Sequence, residues 1–358
     1  MGRRSTDHEP SSPTVSRRRL LQGGLAGAAA LTLPLWARNF VVRGGAAPAF
    51  TASPVAKTLA DGSTIPTWQL VDAGGSGLGA LPSALVVDEG DSVSLELTNG
   101  LAENVDLVVP GVTSGPPTWV TPGGSRTVTF TAPTAGTYLA HGITPLDPTG
   151  EVCRAMGLAT PLVVRPPGEP RRLYSGGPRF DREYTLMYQD FDDRLNAAVD
   201  AGDSGSYDMA NYEPNFFIVN GLGFPDTLQS GSTRLSMVVG DAVALRFLVA
   251  GQVTYPMHFH GYHADVEARR EEGGLSAPET AVRSKDTVQV EIGASADVIL
   301  NVDQPGVFPL HSHYVPAVTF DGIYLDPHGG SLLMLAANAF FADGFESGGT
   351  GDWSNTVG

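Results

Sequence analysis

Alternation of apolar and polar side chains marks two stretches of the chain as β-strands. In residues 93–97, Val, Leu and Leu alternate with Ser and Glu, and residues 243–249 repeat the pattern with Val, Leu, Phe and Val. Neighbouring side chains on a strand point to opposite faces, so each run predicts a half-buried strand. The 44 glycines, 27 prolines and 17% charged residues also favour short strands joined by turns. The sequence therefore predicts an all-β protein.

Two short patterns occur twice in the chain, in the same order. The first is Gly-Asp-x-Val-x-Leu, which begins at residue 90 and again at residue 240. The second places a glycine five residues before a histidine: Gly136 precedes His141, and Gly306 precedes His311. Because both patterns keep their order, they predict a duplicated β-domain.

The repeats divide the chain into two predicted domains. With 358 residues, of which 42% are apolar, the chain is long enough to build two hydrophobic cores. We predict a first domain at residues 55–167 and a second at 180–338, joined by a stiff Pro- and Gly-rich linker at 165–172. Residues 339–358 are Gly-rich and polar, which predicts a flexible acidic tail.

The first 49 residues have the composition of an export signal. A basic segment at residues 16–22 contains consecutive arginines, and an apolar, small-residue stretch follows at 23–36. That stretch is short for a membrane span. The arrangement resembles a twin-arginine signal peptide, with an ordinary secretory signal as the alternative. Either signal predicts a periplasmic or secreted protein.

Charge and cysteine content exclude several classes of function. Residues 1–49 hold seven basic and two acidic residues, so their removal leaves 15 basic against 36 acidic residues. This strong negative charge argues against nucleic acid or an anionic membrane surface as a partner. Cys153 is the only cysteine, which excludes an intramolecular disulfide, a Cys-rich zinc site and an iron–sulfur cluster.

Histidines are concentrated in two places. The chain has eight, and four of them form the pairs His258 with His260 and His311 with His313. On a strand, residues i and i+2 share a face, so two adjacent strands of this kind offer four imidazoles. Neutral imidazole suits copper, zinc, nickel or iron, and the ligand type alone does not choose among them. We predict a metal site here, with a coincidental surface patch as the alternative.

Two further histidines have weaker claims to be ligands. His263 follows the first pair closely and is expected either to orient a neighbouring ligand or to lie exposed. His328 stands in an Asp-Pro-His-Gly turn. We predict neither as a metal ligand.

These motifs together resemble the multicopper oxidase family. The resemblance rests on residues 255–261, Tyr-Pro-Met-His-Phe-His-Gly, and 305–313, Pro-Gly-Val-Phe-Pro-Leu-His-Ser-His, beside the repeated β-domain. It implies two tandem cupredoxin-like Greek-key β-sandwich domains and copper as the cofactor. It also implies that five histidines are ligands of the oxygen-reducing type 2/type 3 copper cluster: His258, His260, His311, His313 and His141.

The chain departs from this family at the type 1 copper site, where electrons are taken up. In the second domain, Tyr255 and Ala317 stand at the positions of the two histidine ligands of type 1 copper. Ser312 stands at the position of the cysteine ligand, and Gly322 at that of the axial ligand. A blue-copper site requires His and Cys donors together, so we predict that none forms there.

The first domain also lacks the type 1 ligands found in copper nitrite reductases. Matching His141-Gly142 to the His-Cys pair of those enzymes leaves only Met156 of the four type 1 ligands; the other positions hold Glu103, Gly142 and Glu151. The upstream type 2 histidine is replaced by Val108, and the His-x-His partner of His141 by Ile143. No histidine follows Cys153 closely, so we predict a buried structural thiol there.

Three functions remain open on the sequence alone. The first is a copper oxidoreductase whose substrate reaches the histidines directly. Its partners would be oxygen or a small reductant. The second is a copper-binding or copper-sequestering protein without turnover. The third is a degenerate cupredoxin structural module that keeps the histidine pairs as a remnant. In two-domain relatives copper lies between subunits. The resemblance therefore also implies a homotrimer.

Overall fold

The structure is a computed structural model that describes most of the chain. It covers residues 40–41, 48–72, 84–203, 207–229, 231–324 and 328–338. Apart from residues 40–41 and 48–49, the predicted signal peptide lies outside the described residues. The predicted tail at 339–358 lies outside them entirely.

Nine strands of the described ranges build the first β-sandwich. They are β1 (Phe40–Val41), β2 (Ala49–Thr58), β3 (Thr64–Asp72), β4 (Leu85–Asp88), β5 (Ser92–Asn99), β6 (Asp106–Val108), β7 (Ser125–Thr131), β8 (Gly136–Ile143) and β9 (Ala159–Arg165). One sheet has the order β1-β4-β9-β8-β6 and the other β3-β2-β5-β7. Apolar side chains from both sheets, among them Leu95 and Tyr138, form a shared core. A short helix α1 (Glu151–Ala155) lies between β8 and β9.

The second β-sandwich is built from later strands. They are β10 (Arg182–Phe191), β11 (Phe216–Val219), β12 (Leu235–Val238), β13 (Ala242–Val249), β14 (Tyr255–Phe259), β15 (Ala264–Arg270), β16 (Ala277–Lys285), β17 (Thr287–Val290), β18 (Ser295–Asn301), β19 (Gly306–Ser312) and β22 (Leu333–Asn338). Its sheets have the orders β11-β10-β13-β18-β15-β16 and β12-β22-β19-β14-β17. They enclose a core that includes Phe247, Met257 and Leu310.

Shorter elements complete the second half of the chain. A two-stranded ribbon pairs β20 (Thr319–Phe320) with β21 (Ile323–Tyr324). Helix α2 spans Asp193–Asp200, and 3₁₀ turns lie at Met209–Asn211, Asp226–Leu228 and Val315–Val318. Within the described ranges, no helix has the length and apolar character that crossing a membrane requires.

The repeated Gly-Asp pattern forms the same turn in both sandwiches. Gly90 has a φ of 85° and Gly240 a φ of 100°, a left-handed conformation that glycine adopts without steric cost. In each turn the aspartate carboxylate accepts the backbone N–H three residues earlier, at 3.0 Å for Asp91 and 2.9 Å for Asp241. The predicted all-β architecture and the duplicated turn are confirmed.

One strand differs from its prediction. β5 alternates between buried and solvent-facing residues, as the sequence predicts. In β13, however, every residue from Val243 to Val249 is buried, including Ala244 and Arg246 on the face predicted to meet solvent. That prediction was wrong because the first sandwich covers this face: Leu139 of β8 lies in one apolar cluster with Leu248.

A buried ion network joins the two sandwiches. Arg246 donates from Nη1 to Asp297 Oδ2 at 2.7 Å and from Nε to Glu183 Oε1 at 2.7 Å. Thr137, on β8 of the first sandwich, donates from Oγ1 to Asp297 Oδ1 at 2.6 Å. Each charge in the network therefore has an opposite charge beside it, which offsets the cost of removing it from water.

Candidate metal centre

Four histidines gather on the outer face of the second sandwich: His258, His260, His311 and His313, here called the histidine cluster. Strands β14 and β19 are antiparallel neighbours that place His258 directly opposite His311. Pairs of rings in the cluster have centroids 4.5 to 5.6 Å apart. The alternate residues of both strands, such as Met257 and Leu310, point into the core. Strand periodicity thus turns all four imidazoles outward.

The closest contact in the cluster joins two imidazole nitrogens. Nε2 of His260 lies 2.9 Å from Nε2 of His311. His311 donates from Nδ1 to the carbonyl of Ser312 at 3.1 Å, so its Nε2 carries the lone pair and accepts from His260. A metal ion replacing the shared proton would find two donors already side by side.

A backbone carbonyl fixes the orientation of His258. Its Nδ1 donates to the carbonyl oxygen of Asp286 at 3.1 Å and also lies 3.2 Å from Thr287 Oγ1. A proton held on Nδ1 leaves Nε2 as the nitrogen that can bind a metal. Metal-binding histidines in proteins commonly make this kind of second hydrogen bond.

The cluster is open to solvent on one side. His260 and His313 are exposed, whereas His258 and His311 are half-buried. Partial burial and the nearby His311, His258 and His313 together lower the pKa of His260. A lowered pKa keeps the imidazole in the neutral form that binds metals.

The donors of the cluster fit a metal that prefers imidazole, such as copper. Two nitrogens 2.9 Å apart can share one ion whose bonds to imidazole are about 2.0 Å long. Within the described part of the chain, no three His, Cys, Asp or Glu side chains converge on one metal-sized point. Full coordination therefore requires the other two rings to rotate, or a further ligand to arrive from outside.

The structure does not bring His141 together with the cluster. His141 lies on β8 with 1% of its surface exposed, and its ring adjoins Gly150. It donates from Nδ1 to the carbonyl of Gly142 at 2.9 Å, the same contact that His311 makes with its own following residue. Its Nε2 is buried without a hydrogen-bond partner among the described residues. His141 is thus oriented like a ligand but enclosed by its own chain.

The buried His141 predicts a pH-dependent loss of stability in the metal-free protein. Burial, then the charges of Arg154 and Arg270, lowers the pKa of His141 from 6.5 to about 4. Between these values the unfolded chain binds a proton that the folded chain excludes, so folding stability falls as pH falls through this window. The loss by pH 4 is about 3 kcal/mol.

This loss is measured as a difference between variants, because other groups titrate in the same range. Urea unfolding of wild type and His141→Leu at pH 7 and pH 4 should show the wild type losing that amount relative to the variant. A constant difference across these pH values would contradict the assignment.

The type 1 positions of the second domain are filled by core residues. Tyr255 and Ala317 are fully buried and belong to the central apolar cluster, and Ser312 is 1% exposed. Gly322 lies exposed in the turn between β20 and β21. These residues provide neither the imidazole nor the thiolate that a blue-copper site needs.

The corresponding pocket of the first domain is closed by packing. A side chain added at Gly142 would meet Leu158 Cδ2 at 2.2 Å. Met156 and Cys153 lie together in the apolar core. Burial, and then Asp147, raises the pKa of the Cys153 thiol well above its usual value. Cys153 is therefore a protonated thiol and a poor copper ligand.

The remaining histidines and the supporting groups also have defined places. His263 is exposed, and His328 packs against the ring of Phe320 with centroids 5.1 Å apart. Sequence patterns did not indicate that Asp286 and Thr287 orient His258. Those contacts depend on the pairing of β14 with β17, which residue spacing does not reveal.

Residues 201–318 match the family model for multicopper oxidases. This range contains the histidine cluster and most of the predicted second domain. The match agrees with the resemblance drawn from the sequence, and copper is the cofactor that this family indicates. No curated protein sequence matches the chain.

Solved structures share the fold over about four fifths of the chain. A multicopper oxidase named mgLAC is 23% identical with a TM-score of 0.64, over 81% of this chain and 85% of that one. A blue copper oxidase from Nitrosomonas europaea is 21% identical with a TM-score of 0.63, over 81% and 85%. A copper nitrite reductase from the same organism is 17% identical with a TM-score of 0.59, over 81% and 93%. The predicted fold of two tandem cupredoxin-like sandwiches is confirmed.

Proposed function

We propose that this chain is an exported copper-dependent oxidoreductase whose copper is held by the histidine cluster and which works without type 1 copper. The observation that carries the proposal is the outward cluster itself, in which His260 and His311 nitrogens lie 2.9 Å apart. The buried Tyr255 and Ser312 support the second half of the proposal, because the usual route of electrons through a Cys-His link is missing.

The chain's own residues account for binding and access. His258, His260, His311 and His313 would hold the metal, with His258 oriented by the Asp286 carbonyl. Copper bound there supplies a one-electron redox centre able to interact with oxygen. Because His260 and His313 are exposed, a small molecule such as oxygen can reach the cluster from solvent.

A homotrimer would complete the site with a ligand from a second copy. His141 is the candidate for this role, since its Nε2 is unpartnered among the described residues and Nδ1 is fixed by Gly142. Because His141 is 1% exposed, the chain around Gly150 has to move before it can reach a neighbouring cluster. The consecutive arginines and apolar stretch of residues 16–36 support export to the periplasm or the exterior.

Oxygen uptake tests the proposal against the two alternatives. Copper-loaded protein is expected to consume oxygen in the presence of a phenol, and metal-free protein is not. His263→Ala serves as the control and should retain activity, because His263 lies outside the cluster. Copper that binds without oxygen uptake would instead support a sequestering protein, a function favoured by the missing type 1 donors. Absence of both binding and uptake would support a structural module.

A further inference from the structure

A buried carboxylate lies beneath the strand that carries His258. Asp190 is fully buried near the end of β10. Its Oδ1 accepts from the phenol of Tyr212 at 2.9 Å and from the backbone N–H of Gln252 at 2.8 Å. Its Oδ2 accepts from the phenol of Tyr255 at 3.2 Å. Two tyrosines therefore share one carboxylate.

The two tyrosines connect the protein surface with the region of the former type 1 site. Tyr212 is half-buried in a loop next to solvent, whereas Tyr255 is fully buried. Tyr255 occupies the position of a type 1 histidine and precedes His258 by three residues on β14, about 10 Å along a strand. Tyr188 adds a third aromatic ring 5.1 Å from Tyr255.

We propose that Tyr212, Asp190 and Tyr255 form a proton-coupled electron relay that replaces type 1 copper as the route from a phenolic reductant to the histidine cluster. This inference rests on the proposed function, which supplies oxidised copper as the electron acceptor. The substrate class is a phenol that reaches Tyr212 at the surface.

The relay conserves protons and electrons. Copper held by the histidine cluster would be the acceptor of one electron from Tyr255. As Tyr255 is oxidised, its phenolic proton passes to the Asp190 carboxylate. The Tyr255 radical then takes one electron from Tyr212, while Asp190 returns a proton to Tyr255 and accepts the proton of Tyr212. The external phenol gives a hydrogen atom to the Tyr212 radical and becomes a phenoxyl radical. Asp190 finally releases one proton to solvent.

The ionisation of these groups suits the relay at neutral pH. Burial raises the pKa of Asp190 to about 6, so above that value the carboxylate is free to accept a proton. Burial and Asp190 raise the pKa of Tyr212 and of Tyr255 well above the usual value, so each phenol keeps its proton until it is oxidised. The charges of Asp190 and Glu213 also act on the phenol of Tyr314, whose pKa is raised first by burial and then by these two carboxylates.

The test uses metal-free full-length protein and a photogenerated one-electron oxidant, ruthenium(III) tris-bipyridine, with spin resonance on samples frozen after the flash. All samples carry Tyr324→Phe, because exposed Tyr324 would react directly. We expect a persistent tyrosyl radical that is mostly lost in Asp190→Asn and in the double variant Tyr212→Phe with Tyr255→Phe. Tyr184→Phe is the matched control, since Tyr184 is a buried phenol that donates to a backbone carbonyl at 2.8 Å, and it should keep the signal.

The pH profile separates proton acceptance from a structural role. The radical yield should fall as pH drops through about 6 and Asp190 becomes protonated, and this dependence should vanish in Asp190→Asn. An unchanged signal in both Asp190→Asn and the double variant Tyr212→Phe with Tyr255→Phe would overturn the relay. So would a yield that does not vary with pH in the wild type.

A second readout connects the relay to turnover. In copper-loaded protein, Tyr255→Phe and Tyr212→Phe should slow phenol-dependent oxygen uptake while copper content stays unchanged. Uptake at the wild-type rate in both variants would overturn the relay but leave the copper site intact. If the wild type binds no copper, the proposed function fails, and with it the role of the relay, even where the metal-free radical signal is present.

Discussion

Replacing His258 and His311 together by alanine is expected to lower the copper affinity of the protein by more than about a hundredfold. His258 and His311 are directly opposed on β14 and β19, so the double variant removes one imidazole from each pair. It also removes the nitrogen that lies 2.9 Å from His260. Competition for copper against a chelator of known affinity measures the change.

The control for this experiment removes two histidines elsewhere. His263→Ala with His328→Ala deletes the same number of imidazoles, and neither residue belongs to the cluster. Wild-type affinity is expected in that variant. Equal copper binding by wild type and the His258, His311 variant would show that the metal is held somewhere else.

Asp297→Ala is expected to destabilise the folded protein by about 3–5 kcal/mol. Asp297 is 2% exposed and pairs with fully buried Arg246 at 2.7 Å. It also accepts the Thr137 hydroxyl, a contact between the two sandwiches. Removing the carboxylate leaves a guanidinium in the interior with one of its two acidic partners, which is why the cost is large.

Urea unfolding measures this loss against an exposed ion pair. Glu169 and Arg172 lie 2.9 Å apart with side chains 37% and 28% exposed. Because solvent screens such a pair, Glu169→Ala should cost at most about 1 kcal/mol. Similar costs for Asp297→Ala and Glu169→Ala would mean that the buried network contributes little to holding the sandwiches together.

The strands and turns of each sandwich could be predicted because they depend on local signals. The alternation in β5 and the Gly-Asp turns at residues 90 and 240 are properties of a few adjacent residues. The prediction for β13 was wrong on one face, because alternation shows which side chains share a face but not what packs against that face. Arg246 is polar, yet Glu183 and Asp297 from other strands stabilise it in the interior.

Part of the histidine cluster could also be predicted, because it depends on the spacing of residues within each strand. Spacing of two residues places each pair on one face, and the neighbouring positions of β14 and β19 then bring the pairs together. The surroundings of His141 could not be predicted, because they depend on the fold around Gly150 and on charges from Arg154 and Arg270. The network of Asp190 with Tyr212 and Tyr255 also joins residues that are distant in sequence.

The most direct test of the account is the combined spin-resonance and visible spectrum of copper-loaded wild-type protein. The account predicts a type 2 copper signal split by imidazole nitrogens, with no intense blue absorption, because Ser312 stands where a thiolate would be and Cys153 is a buried, protonated thiol. An intense blue band, or bound copper without nitrogen splitting, would contradict it.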